Sequence, residues 1–129
     1  MRARFAQRLP MAFAWLAKKP LPNDLLDSFV LPARQSRAIR KDLVRFLRAV
    51  DKRYTLAAAA QLDAFDKPVL FAWGTEDRFF PISLAERLSE ILPNTRIEAV
   101  AGARTLVPFD QPAVLSGLVL EFIGLPARA

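Results

Sequence analysis

The hydrophobic positions of this chain change texture near its middle. From Val69 to Trp73 they run without a polar interruption, between Pro68 and Gly74. A short apolar run with such bounds predicts a strand buried on both faces, as inside a parallel sheet. The loop after it, Gly74–Phe80, carries Glu76 and Asp77, and Pro81 leads into a helix expected over Leu84–Leu92. Ser83 and Glu86 have the spacing of a capping box, and Leu84, Leu88 and Ile91 are expected to be buried. Arg96–Val100, where charge alternates with Ile97 and Ala99, predicts a half-exposed edge strand. After a loop over Ala101–Pro108, Gln111-Pro112 opens a last helix. Its Val114, Leu115, Leu118, Val119, Phe122 and Ile123 are expected to face the core, with Gly124 ending it. Strand, helix and strand in this order predict one right-handed parallel crossover.

The first half reads as helical. Residues 2–18 have an amphipathic pattern broken by Pro10. Lys19–Pro32, punctuated by prolines, predicts a loop with one short helix near Asp24–Phe29. Over Ser36–Lys52, at roughly 100° per residue, Ile39, Leu43, Phe46, Leu47 and Val50 share a face. Arg34, Arg37, Lys41, Arg45, Arg48 and Lys52 share the opposite one. The Ala-rich stretch Tyr54–Ala64 favours another helix. The expected organisation is therefore a helical region over 1–65 and a parallel β-α-β-α unit over 66–129, an α/β class. An interior strand needs two neighbours, and only Arg96–Val100 supplies one. The chain is thus expected to be a piece of something larger, or to pair through its free strand edge.

Composition narrows the chemistry. The 129 residues, 53% hydrophobic, suit one domain. There is no Cys and no His, which removes thiol nucleophiles, zinc-thiolate sites and the commonest general base near neutral pH. No metal site, cofactor or membrane-spanning run is expected. The net charge of +6 favours anionic partners where it clusters. Met1–Asn23 has no acidic residue, but lacks the Ser of a transit peptide and a full secretory apolar core, so a cytoplasmic setting is expected.

Pro68-Val-Leu-Phe-Ala-Trp-Gly-Thr-Glu-Asp77, with Leu92-Pro93-Asn94, Gly102-Ala103 and Asp110-Gln111-Pro112, resembles the last third of an α/β-hydrolase. The resemblance is specific over Pro68–Ile123, and residues before 66 are compatible with the cap helices such enzymes insert there. It implies that Asp77 holds the acid position of a Ser–His–Asp triad. It implies a parent class hydrolysing ester, amide, epoxide or carbon–halogen bonds of small molecules. The chain departs from the pattern in two places. Thr105 stands where the catalytic His belongs, and a Thr hydroxyl cannot replace an imidazole base. None of Ser28, Ser36, Ser83, Ser89 and Ser116 lies in a Gly-x-Ser-x-Gly elbow. The expectation is a truncated hydrolase-like chain, inactive alone, a pseudoenzyme.

Each candidate also has a plainer reading. Asp77 can fix its own loop through N–H bonds or pair with Arg78 or Arg104, and Glu76 can be merely solvated. Phe71, Trp73, Phe79 and Phe80 suit core as well as a substrate pocket. The basic stripe Arg34–Lys52 is either a solvated face or a surface for anionic partners. The alternative function is a non-catalytic interaction module, pairing through the strand edge while its basic helix contacts anions. Nucleic acid is not expected, for want of a binding motif.

Overall fold

The computed structural model describes residues 15–124. Three helices come first: α1 over Asn23–Gln35, α2 over Arg37–Ala49 and α3 over Lys52–Ala59, with a 3₁₀ turn at Leu62–Ala64. They are followed by β1 (Val69–Gly74), α4 (Ser83–Ser89), β2 (Thr95–Val100), α5 (Val107–Asp110) and α6 (Pro112–Phe122). The two strands are parallel, in register from Val69 opposite Thr95 to Gly74 opposite Val100. Among the described residues β1 has a strand on one side only. The fold is the expected α/β arrangement, helices followed by a parallel β-α-β-α unit.

Two apolar clusters form the core among the described residues, and neither includes a residue of α2 or α3. Val100, Ala103 and Val107 form one, with Ala72 of β1 and Leu115 and Leu118 of α6 packed on it. Ala17, Leu21 and Leu26 form the other, closed by Leu25, Leu106 and Phe109. The segment leading to α1 therefore packs against the loop that follows β2. At the outer edge, Arg96 of β2 binds Glu98 at 2.7 Å and Glu121 of α6 at 2.8 Å.

Several sequence expectations change here. The amphipathic pattern over 2–18 lies mostly outside the described residues, and Leu16–Lys19 are not helical. The backbone N–H groups of Lys18 and Lys19 bond a distant carboxylate, so they have no use for a helix. The helix expected near Asp24–Phe29 is longer and runs through Pro32. The bond Pro32 cannot donate would have gone to the carbonyl of exposed Ser28, where water can take its place. Ser36 caps α2, its hydroxyl accepting from the Ile39 N–H at 3.3 Å. Asp51 caps α3, accepting from Arg53 N–H at 2.8 Å, and the helix stops at Ala59, short of Ala64.

The capping box at Ser83 and Glu86 does not form. Carbonyls of Pro81 and Ile82 already accept from Leu84, Ala85 and Glu86, so the helix starts one residue early and its first N–H groups are satisfied by backbone. Burial also departs from periodicity. Ile91, Val114, Val119 and Ile123 are exposed, and α2 buries none of its apolar face: Phe46 is 67% exposed, Leu47 60% and Val50 65%. Periodicity says which side chains share a face. It does not say that another layer of the same chain covers it.

Candidate functional site at the ends of the strands

The carboxyl ends of β1 and β2 meet one crossing loop, and Gly74 is what lets them. A Cβ at Gly74 would lie 2.4 Å from the Arg104 carbonyl oxygen and 2.6 Å from that of Ala103. With hydrogen there, the 101–106 loop crosses directly over the end of β1. Thr75 N–H then bonds Val100 O at 3.1 Å, and Glu76 N–H bonds Ala103 O at 3.0 Å. Gly102 starts this loop with φ +74°, a left-handed turn that favours glycine.

Asp77 is half-buried at the turn after β1. Its Oδ1 accepts from the N–H groups of Phe79 at 2.9 Å and Phe80 at 3.0 Å, an Asx-type turn that fixes the loop. The same oxygen accepts from Thr105 Oγ1 at 2.9 Å, across 28 positions of sequence. The two residues singled out from the sequence are thus in direct contact. They line a cleft of about 220 Å³ with Ala72, Trp73, Phe80 and Arg104. Trp73 fixes the far wall by donating from Nε1 to the Phe80 carbonyl at 2.7 Å. It also meets Phe71 edge to face, with ring centres 6.5 Å apart.

The other candidates separate from this centre. Glu76 forms an exposed ion pair with Lys18. Arg78 stacks over the Trp15 ring, 5.3 Å from its centre. Arg104 reaches the Ala17 carbonyl at 3.3 Å. Among the described residues the partners of Asp77 are thus loop N–H groups and Thr105, with no arginine pair among its bonds. Of the aromatic residues, Phe71, Trp73 and Phe79 are half-buried and Phe80 is half-exposed. Among the described residues no group of three or more His, Cys, Asp or Glu could hold a metal ion.

One residue that carries the geometry escaped the sequence reading except as part of a motif. Asp110 is fully buried. Its carboxylate accepts from Lys18 N–H at 2.8 and 2.9 Å, from Lys19 N–H at 2.9 Å and from Arg104 N–H at 2.9 Å. Burial pushes its pKa up, but the backbone donors of Lys19, Arg104 and Lys18, with the charge of Lys19, outweigh that and hold it below the ordinary value. The carboxylate anchors the residue next to Thr105, so it positions the cleft without touching it. The only sequence signal was an acid at the mouth of the last helix. Its donors lie up to 92 positions away.

No family model matches the chain. It is 31% identical over 106 residues to the uncharacterized hydrolase YugF of Bacillus subtilis, a match covering 82% of this chain and 37% of that protein. It is 33% identical over 117 residues to the polyketide synthase ThaQ of Burkholderia thailandensis, covering 90% of this chain and 5% of the relative. A crystal structure of an α/β-hydrolase fold protein from Burkholderia ambifaria superposes on 84% of this chain and 40% of its own, with 26% identity and a TM-score of 0.70. The chain spans less than half the length of each of these relatives. Among the described residues no helix is long and apolar enough to cross a membrane.

Proposed function

We propose, from the premise that this chain is related to the α/β-hydrolases over part of their length, that its cleft is a hydrolase acid station without chemistry of its own. One observation carries the reading. The Asp77 oxygen that would orient an imidazole accepts instead from Thr105 Oγ1, 2.9 Å away, and from two backbone N–H groups. A Thr hydroxyl can donate to a carboxylate but cannot take a proton from a nucleophile near neutral pH, and the sequence has no His to do so. Residues 1–65 serve as a cap-like helical part and 66–129 as part of a hydrolase core, in a cytoplasmic setting. A small-molecule ester, amide, epoxide or haloalkane would be processed only where a nucleophile and a base are supplied from elsewhere.

The assay is hydrolysis of p-nitrophenyl butyrate by the purified chain. The expected rate is the buffer background, unchanged by Asp77→Ala. Turnover well above background that Asp77→Ala abolishes overturns the reading. A second measurement tests the geometry itself. In Thr105→His the introduced imidazole should sit beside the Asp77 carboxylate, and NMR titration should place its pKa above the roughly 6.5 of a free side chain. Adding Asp77→Asn should bring it back. An imidazole with no upward shift would show that the cleft is no acid station.

A second reading is favoured by the free edge of β1, which no described strand covers. The chain would act as an interaction module, adding its strand to another polypeptide's sheet, while the basic face of α2 meets an anionic surface.

A further inference from the structure

The apolar face of α2 is left uncovered by the described residues, and the opposite face of that helix is strongly basic. Ile39, Leu43, Phe46, Leu47 and Val50 are all more than two-fifths exposed. The chain then turns at Val50 into α3, where Tyr54 is 60% exposed and Leu56 61%. Across the α2 axis, Arg37, Lys41, Arg45 and Arg48 line a basic groove of about 580 Å³. Asp42 is the single acid of this helix and is held by Arg45 at 3.2 Å. Between α1 and α2 runs an apolar groove of about 540 Å³ whose walls include Phe29, Val30, Ala33 and Leu43. The two grooves adjoin at Arg40 and Val44, which line both. Arg40 donates to the Ala33 and Arg34 carbonyls at 2.9 Å each, so the α1–α2 corner that forms the junction is braced.

We propose that α2 is an interfacial helix that docks the chain on a bilayer surface rich in anionic phospholipid. Charge complementarity names the occupant. A helix with one broad apolar side and a lysine- and arginine-rich polar side lies in the plane of a membrane interface, its apolar side chains among the acyl tails. The basic side chains on the other side of the helix then lie within about one Debye length of the headgroups and are drawn to their negative charge. The adjoining grooves repeat that division on a smaller scale, one walled mainly by apolar side chains and the other mainly by basic ones. The exposed apolar residues continue from α2 into the next helix, and a fluid bilayer can adapt to the surface they form. The proposal takes up the helical half of the second reading above and names its partner. It is independent of the Asp77 cleft.

Co-sedimentation of the full chain with phospholipid vesicles tests it. Vesicles of phosphatidylcholine with about three-tenths phosphatidylserine should carry the protein down at low salt. Pure phosphatidylcholine, or about half-molar sodium chloride, should weaken binding at least tenfold. Phe46→Glu and the pair Arg45→Glu with Arg48→Glu should each weaken it about tenfold. All three positions are exposed, and circular dichroism verifies that the variants keep their helices. Equal binding to neutral and anionic vesicles, no binding to either, or binding that survives Phe46→Glu would overturn the proposal. So would a vesicle-free dimer in size-exclusion chromatography that Phe46→Glu dissolves, because the face would then belong to a second copy. Failure on lipid leaves strand-edge pairing standing, since that is read by self-association.

Discussion

Gly74→Ala is expected to lower stability by about 3 kcal/mol or more and to open the cleft, because neither of the atoms it meets can yield alone. The added methyl would sit 2.4 Å from one backbone carbonyl oxygen and 2.6 Å from another. Both carbonyls belong to the loop that presents Thr105, and that of Ala103 already accepts from Glu76 N–H at 3.0 Å. Relief requires the loop to lift, which would break that bond and draw Thr105 Oγ1 away from Asp77. A thermal melt followed by circular dichroism should show the midpoint fall by about 10 °C or more. Gly117→Ala is the control of opposite sign. A Cβ there meets nothing within 4 Å, inside helix α6, so the midpoint should rise with a gain of about 0.5–1 kcal/mol. Equal, small effects at the two glycines would refute the close approach of the loop to β1.

Asp110→Asn should be nearly as damaging, although it changes the shape of the side chain very little. The amide keeps one acceptor and turns the other into a donor, facing N–H groups that are themselves donors. At least one of the Lys18, Lys19 and Arg104 N–H groups is left unsatisfied, at about 1–3 kcal/mol. The wild-type carboxyl also sets an acid limit. Its pKa is lower in the folded chain than in the unfolded one, so the unfolded state takes up the proton first. The stabilisation is complete above about pH 5 and drains away as pH falls through the folded-state value. Chemical denaturation across this range should show wild type losing its advantage over Asp110→Asn as the solution is acidified. Parallel curves from pH 7 to 3 would refute the anchor.

These two sites mark what could be read from the chain alone. Val69–Trp73 was legible as a strand because an unalternating apolar run between Pro and Gly has few other uses, but burial on both faces was not borne out: each of its five residues is only half-buried, and among the described residues a single strand flanks it. The meeting of Asp77 with Thr105 was legible through the hydrolase-like motifs, which fix the loop on which each residue lies. Asp110 was not, since nothing local records that a carboxylate will collect donors from Lys18 and Lys19. The closure of Gly74 against Ala103 and Arg104 was hidden for the same reason. For α2, the pattern correctly grouped Ile39, Leu43 and Phe46 on one side and the arginines on the other. It could not tell a core face from a face left open, because both are written with the same residues. The box at Ser83 failed for a smaller reason, that Pro81 and Ile82 begin the helix first.

The two tryptophans give the molecule a built-in divided optical readout. Trp73 is bonded to the Phe80 carbonyl and Trp15 lies under Arg78, so both indoles touch the same short loop around Asp77. Helices α1, α2 and α3 contain no tryptophan. Intrinsic emission therefore follows the cleft and its strap, while far-ultraviolet ellipticity is weighted toward the helices. Light of two kinds can thus time the two halves of this chain separately as they come apart, without a label on either.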